Sequence, residues 1–440
     1  MAKKIIIYLS FVLGLFFLVH NVYYYPVIAG YDSFIHIRYA DILTSQWRLP
    51  TLSETREAYN PPFFYLVSGL IGRLYSYFYK SDFISALKVW QYLNPVFAVF
   101  LIFFWYRIVK PLLPKPRIFH YLFIALIFSL PVFQKTIPMY NLELFSAFLI
   151  SLAFWYFIVH YQSHPTLFKT VILAAITIIN LLTRMSSFVL LITLFFGFWG
   201  LGYLKKITWS KAIKFLIVFT LLVLLGSSWF YIGRRNQEIY GVGEGGEPDL
   251  PFFQRQPLAF YTEVPFRLMM GYPIRFAPNT PLNRLIPIYY SEFWGDWWNY
   301  FSQRRFGISI DTIKQDRNFT SPARVANLAW QNRINLPFTL LILFSFITFF
   351  SQRKKDWFIP AMMIIMLCLT YLGWLVMITK YPSFKGDSIK ASYMLHVLPV
   401  LIYSLIIFLS KILQKNKYIF ISILTYISIA AINNLIWSWF

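Results

Sequence analysis

The sequence predicts an all-α polytopic membrane protein, and three observations carry that prediction. Of 440 residues, 58% are hydrophobic and 21% aromatic, while only 13% are charged. A chain with that balance and a positive mean hydropathy lacks the polar surface that a water-soluble globule of this length needs. The apolar runs are about 18 to 22 residues long without period-two alternation, so they fit helices crossing a hydrocarbon core and not barrel strands.

The first span is expected at residues 5 to 23, behind Lys3 and Lys4. No small-residue cleavage pattern follows it before Asp32, so it reads as a retained anchor. A long outer loop, about 24 to 86, comes next. In it Asp32 or Ser33 caps a short interfacial helix over residues 33 to 44, because Asp32, His36, Tyr39 and Leu43 recur at helical spacing. Pro61 and Pro62 open a second helix running to residue 79, with Arg73 as the charge in its interior. Further spans are expected at 87 to 108, 119 to 133, 143 to 161, 169 to 183, 187 to 203, 212 to 232, 335 to 351, 357 to 379, 392 to 411 and 418 to 438, about eleven in all. The second outer loop, about 233 to 334, holds a flexible glycine-rich stretch at 241 to 248 and an aromatic run at 293 to 301 that reads as a membrane-surface patch.

Basic residues set the orientation. Lys3 and Lys4, then Lys110, Lys115 and Arg117, Lys169, Lys205, Lys206, Lys211 and Lys214, Arg353, Lys354 and Lys355, and Lys411, Lys415 and Lys417 fall in alternate short loops, which the positive-inside rule assigns to the cytoplasm. That parity puts both long loops outside and requires the helix at 61 to 79 to lie in the interface or re-enter. Residues 1 to 440 read as one membrane-embedded domain, since neither loop is large or apolar enough for a core of its own.

Lysine and arginine number 40 against 17 acids, a formal charge of +23. They lie scattered between apolar runs, which fits topology and anionic lipid and argues against a nucleic-acid partner. The single cysteine, Cys368, excludes an intrachain disulfide and a thiolate metal cluster.

Asp32 sits where the first span opens into the outer compartment, and Glu143 sits at the outer end of the fourth. Each reads either as a helix-terminal acid or as chemistry at the membrane surface, with Asp32 as a general base. Arg184 and Lys390 lie at similar depth at the outer ends of the fifth and tenth spans. Each is a snorkelling cation or a clamp on a phosphate, for which guanidinium offers a matching fork of donors. His36, one turn after Asp32, either orients a substrate or pairs with the carboxylate. Tyr59, Trp294, Trp297 and Trp298 could stack on sugar rings or form an interfacial belt. No HExxH or cysteine-rich spacing signals a resident metal, although magnesium or manganese could sit between Asp32, Glu143 and a substrate phosphate. The chain has no phosphate-binding Gly-x-x-x-x-Gly-Lys-Ser/Thr, no Gly-x-Ser-x-Gly elbow and no dinucleotide fingerprint, which argues against a nucleotide-driven pump. Asn318 heads a chance-level glycosylation sequon.

Taken in order, these residues resemble the GT-C class of polytopic glycosyltransferases, which use polyprenyl- or dolichyl-phosphate-linked sugars. The likeness rests on Tyr31-Asp32-Ser33-Phe34-Ile35-His36 in the first outer loop, Pro61-Pro62-Phe63-Phe64-Tyr65, Asn141-Leu142-Glu143, Leu182-Thr183-Arg184-Met185-Ser186, and the stretch from Lys390 to Pro399. Two departures matter: Ser392-Tyr393 stands where many members have Arg-Tyr, and Asp296-Trp297-Trp298 reverses the Trp-Trp-Asp of oligosaccharyltransferases. The resemblance implies a GT-C-like fold in which Asp32 deprotonates an acceptor hydroxyl, with inversion at the sugar, while Arg184 and Lys390 stabilise the leaving phosphate. It implies transfer of single sugars from a polyprenyl-phosphate donor to a glycan, lipid or protein acceptor outside the cytoplasm; the low cysteine count and lysine-rich composition point to a prokaryotic plasma membrane, with the endoplasmic reticulum as the alternative. A transporter or flippase of lipid-linked or anionic solutes would use the same cations but needs charged or broken helices at the bilayer midplane. A polysaccharide polymerase or ligase shares the multi-span plan.

Overall fold

The computed structural model describes residues 2–115, 117–236, 255–275, 284–301, 322–350, 357–380 and 389–438, and every regular element among them is helical. The glycine-rich stretch at 241 to 248, Asn318 and the basic loop of Arg353, Lys354 and Lys355 lie outside the described residues.

Helix α1 (Ala2–Tyr24) leads into the first loop, where α2 (Ser33–Gln46), a 3-10 turn (Arg56–Tyr59), α3 (Phe63–Tyr79) and the short α4 (Phe83–Ala86) follow. The bundle continues with α5 (Lys88–Val109), α6 (Ile118–Phe128), α7 (Pro131–Thr136), α8 (Glu143–Trp155, extended by a π turn to Tyr161), α9 (Leu167–Leu181), α10 (Phe188–Tyr203) and α11 (Trp209–Asn236). In the second loop lie α12 (Leu258–Thr262), α13 (Phe266–Gly271) and α14 (Leu285–Trp294), before α15 (Pro322–Phe350), α16 (Phe358–Lys380), α17 (Leu398–Lys415) and α18 (Lys417–Trp437). Local chemistry starts several of them. Thr166 caps α9 by accepting the Lys169 N–H, Asn416 caps α18 through Tyr418 and Ile419, and Pro131 opens α7 with a preset φ.

Each segment expected to span is largely helical among the described residues, with breaks at Ser129–Leu130 and Leu395–Val397. Seven of those segments, Phe83–Val109, Glu143–Tyr161, Met185–Tyr203, Trp209–Arg234, Phe358–Lys380, Leu398–Lys415 and Lys417–Trp437, are long and apolar enough to cross a membrane, and Val12–Tyr24, Ile118–Phe128 and Leu167–Leu181 are shorter apolar helices. α5 packs along α8, α9 along α11, α15 along α17, and α1 against α6.

The helix at 61 to 79 forms as α3 and lies on α2. Gly69 makes that approach possible: a Cβ there would stand 2.7 Å from the Thr44 methyl and 3.1 Å from the Ala40 carbonyl oxygen. A second apolar cluster, with Tyr39, Phe64, Tyr65, Trp90, Tyr140 and Phe145, joins this pair to α5 and α8.

The aromatic run at 293 to 301 corrects the expectation of a membrane-surface patch. Phe293, Trp294, Trp297, Trp298 and Phe301 are all buried in the main core. Burial wins because α14 packs on α15 and on the segment around Ala391–Met394, so these rings have protein on their faces.

Candidate active site

The turn before α2 presents Asp32. Its backbone is left-handed (φ 54°), a conformation that Asp tolerates better than most residues, and it occupies the cap position of α2 without making a side-chain cap hydrogen bond. The carboxylate points elsewhere: the Lys390 ammonium donates to Asp32 Oδ2 at 2.5 Å. Lys390 comes from the segment leading into α17 and also lies 5.3 Å from the centre of the Tyr31 ring.

Glu143, the first residue of α8, and Arg184, just beyond α9, form a second acid–base pair at 3.6 Å. Arg184 stacks its guanidinium 4.3 Å over the Tyr393 ring, three residues from Lys390. Glu143 is buried, and its Oε2 has no hydrogen-bond partner. Four residues far apart in sequence therefore meet as two pairs, each joining a candidate acid to a candidate phosphate-binding cation.

His36 lies behind Asp32 on α2, with Nδ1 2.9 Å from the Tyr65 hydroxyl and 4.0 Å from Glu57. Burial pushes its pKa down to about 4, against the pull of the Glu143 and Asp32 carboxylates, so the ring is neutral at pH 7. Glu57 is its counterpart: burial first, and then the Asp32 carboxylate, raise its pKa to about 8. Its carboxyl accepts from the Asn60 side-chain amide, and the Asn60 backbone carbonyl accepts the Tyr39 hydroxyl at 3.0 Å. For Lys390, burial works against the ammonium, but Asp32, Tyr393 and Glu143 outweigh it and hold the pKa well above the usual lysine value. Tyr59 is 42% exposed and close enough to feel the charges of Glu57, Lys390 and Asp32.

Trp294 and Trp297 sit differently. They are 1% and 2% exposed, and the Trp294 indole donates to Thr339 at 2.7 Å, so their rings are packed into the core. Among the described residues no three His, Cys, Asp or Glu side chains are grouped to hold a metal ion. Asp32 and Glu143, the acids that a magnesium or manganese ion would use, each face a cation instead. No step below runs through a metal ion.

Sequence reasoning did not single out Glu57, Tyr31, Lys135 or Glu292. Glu57 reads as an ordinary loop charge, and its burial depends on tertiary partners. Lys135 did carry a signal, since a lone lysine among Val132, Phe133 and Ile137 needs a partner. That partner is Glu292, and both side chains are fully buried.

The chain matches no family model and no curated protein. Among solved structures, the oligosaccharyltransferase of Archaeoglobus fulgidus, crystallised as a complex with Zn and sulfate, aligns with 98% of this chain and 53% of its own at a TM-score of 0.50 and 14% identity. The chain has the GT-C fold. Also similar are archaeal AglB from Archaeoglobus fulgidus in complex with an inhibitory peptide and a dolichol-phosphate (TM-score 0.49, 14% identity, 100% of this chain and 55% of that one) and ArnT from Cupriavidus metallidurans bound to undecaprenyl phosphate (0.35, 13%, 93% and 79%). The chain spans about half the length of the oligosaccharyltransferases it matches. At 14% identity the likeness to the first of these is one of fold alone.

Proposed function

We propose that this protein is a membrane glycosyltransferase that moves a sugar from a polyprenyl-phosphate donor to a glycan, lipid or protein acceptor on the extracytoplasmic face of a prokaryotic plasma membrane. The observation that carries this reading is the Lys390–Asp32 contact, which sets a candidate base beside a candidate phosphate clamp. The Glu143–Arg184 pair supplies the second cation close by.

In this mechanism the lipid phosphate draws Lys390 and Arg184 away from their carboxylates. Asp32, released, accepts the proton of the acceptor hydroxyl. The acceptor oxygen bonds to the anomeric carbon from the face opposite the phosphate, so the configuration inverts. The bond from that carbon to the phosphate oxygen breaks, and the electron pair leaves with the polyprenyl phosphate. Fixed cations stabilise best the charge that develops on such a leaving group. In this reading the exposed Tyr59 orients the sugar or the acceptor, and neutral His36 supports the Asp32 turn from behind.

Asp32→Asn in the purified full chain tests the base and the pairing together. Turnover with polyprenyl-phosphate sugars should fall by about 100-fold or more. Affinity for polyprenyl phosphate itself should rise about threefold, because Lys390 no longer has a competing carboxylate. Retained turnover in a normally folded variant would reject Asp32 as the base.

A further inference from the structure

Behind the Asp32–Lys390 pair lies a buried network that none of the steps above uses. Glu292, at the end of α14, is fully buried and bonds in three directions. Its Oε1 accepts from the Tyr31 hydroxyl and from the Lys135 ammonium. Its Oε2 faces the Trp298 backbone N–H at 3.4 Å. Lys135 also donates to the Glu292 and Gly295 carbonyls, at 2.5 and 2.8 Å, fixing the end of α14 to α7. Trp298 in turn donates its indole N–H to the Ile389 carbonyl at 3.0 Å.

Two arms of this network end next to the charged pair. Tyr31 is the residue before Asp32, and its ring lies beside the Lys390 ammonium. Ile389 is the residue before Lys390. One carboxylate therefore holds the chain on both sides of a contact whose members are separated by most of the sequence. Stability alone is a weak reason to keep such a group, because replacing a buried ion pair with apolar side chains is often neutral or favourable. A fully bonded buried network instead fixes one geometry.

We propose that Glu292, braced by Lys135, is a positioning residue that registers Asp32 against Lys390 through Tyr31 and through Trp298 with Ile389. Its consequence for turnover rests on the glycosyl-transfer reading; its effect on the pair does not. Without the brace, the base and the phosphate clamp lose their shared alignment, and misplacing reacting groups by about 1 Å can cost on the order of 100-fold in rate.

The test reads the Lys390 amine directly. The full chain in detergent is treated with acetic anhydride, and acetylation of individual lysines is followed by mass spectrometry. Asp32→Asn sets the rate for an unpaired Lys390. Tyr31→Phe keeps the ring and removes only the hydroxyl, and Trp298→Phe removes the indole donor together with part of the ring that Arg275 faces at 4.9 Å. Each should raise Lys390 acetylation about fivefold, as expected for the loss of one buried hydrogen bond, while Lys135 stays protected. Glu292→Gln is made together with Lys135→Met, so that no unpaired charge is left buried, and should raise Lys390 acetylation at least as much as either single variant. Unchanged Lys390 rates in all three, with a raised rate in Asp32→Asn, overturn the proposal. So does Lys135 becoming reactive together with Lys390 in Tyr31→Phe, since the network would then hold only the fold. Turnover is measured in parallel: a wild-type chain inactive with every polyprenyl-phosphate sugar sinks the proposed function but leaves the labelling result to judge the brace.

Discussion

Asp32 occupies a helix-cap position without capping, and that separates its two sequence readings. A capping carboxylate turns back to the N–H groups of its own helix, whereas this one is held by Lys390 from the far end of the chain. The residues behind it make a prediction about pH. Unfolded, Glu57 gives up its proton near the ordinary 4.5, while the fold keeps it to about 8. Its contribution to stability is therefore complete at acid pH and is lost as the pH rises toward 8. His36 runs the other way, from an ordinary 6.5 down to about 4, so its contribution is present above 6.5 and lost as the pH falls. Glu57→Gln should flatten the decline of the thermal midpoint between about pH 5 and about pH 8 and leave the acid-side decline in place. A decline that persists unchanged in the variant would show that Glu57 titrates normally in the fold. Asp32, Glu143, Arg184 and Lys390 were legible in sequence because isolated charges at the ends of apolar runs stand out. Glu57 was not, because a charge in a polar loop carries no mark of its burial.

At the scale of elements, hydropathy located helices well and their surroundings poorly. The spans expected at 143 to 161 and 357 to 379 match α8 with its π turn and α16 within a residue or so at each end, since long apolar runs leave little choice. The run at 293 to 301 has the same aromatic composition as an interfacial belt, and only packing against α15 shows that it is core. The α2–α3 pair shows which contact is decisive. Gly69 sits inside a helix, where alanine ordinarily gains about 1 kcal/mol in propensity. Here a side chain would press on the Ala40 carbonyl as well as on the Thr44 methyl, and overpacking of that kind costs about 1–3 kcal/mol. The clash wins for any side chain larger than alanine. Gly69→Leu should lower thermal stability and also reduce turnover, because α2 carries His36 and begins directly after Asp32. A variant with unchanged melting and activity would mean that α2 moves aside without cost.

At the scale of the whole molecule, the charged pairs and the basic residues that follow α8, α10 and α17 lie at opposite ends of those helices among the described residues. α8 and α17 start beside Glu143 and Lys390, and α10 starts beside Arg184. α10 then runs 16 residues toward Lys205 and Lys206, a rise of about 24 Å. The first loop obeys the same division: the Lys88 ammonium donates to the Val22 and Tyr25 carbonyls at 2.5 Å, so the chain leaves α1 and enters α5 at one end of the bundle. With both ends of the loop on one side, a lone crossing by α3 is ruled out by parity, although α3 is long and apolar. By the positive-inside rule, we propose that the Asp32 end lies outside. Single cysteines at Arg56, Lys80 and Lys206, in a chain with Cys368→Ser, test this with a membrane-impermeant maleimide on intact cells. Arg56→Cys and Lys80→Cys, flanking α3 at exposed positions, should both label, and Lys206→Cys should label only after the membrane is permeabilised. Labelling of Lys206→Cys in intact cells would turn the site toward the cytoplasm. Opposite behaviour of Arg56→Cys and Lys80→Cys would mean that α3 crosses after all, and the alternation of the basic loops would no longer hold.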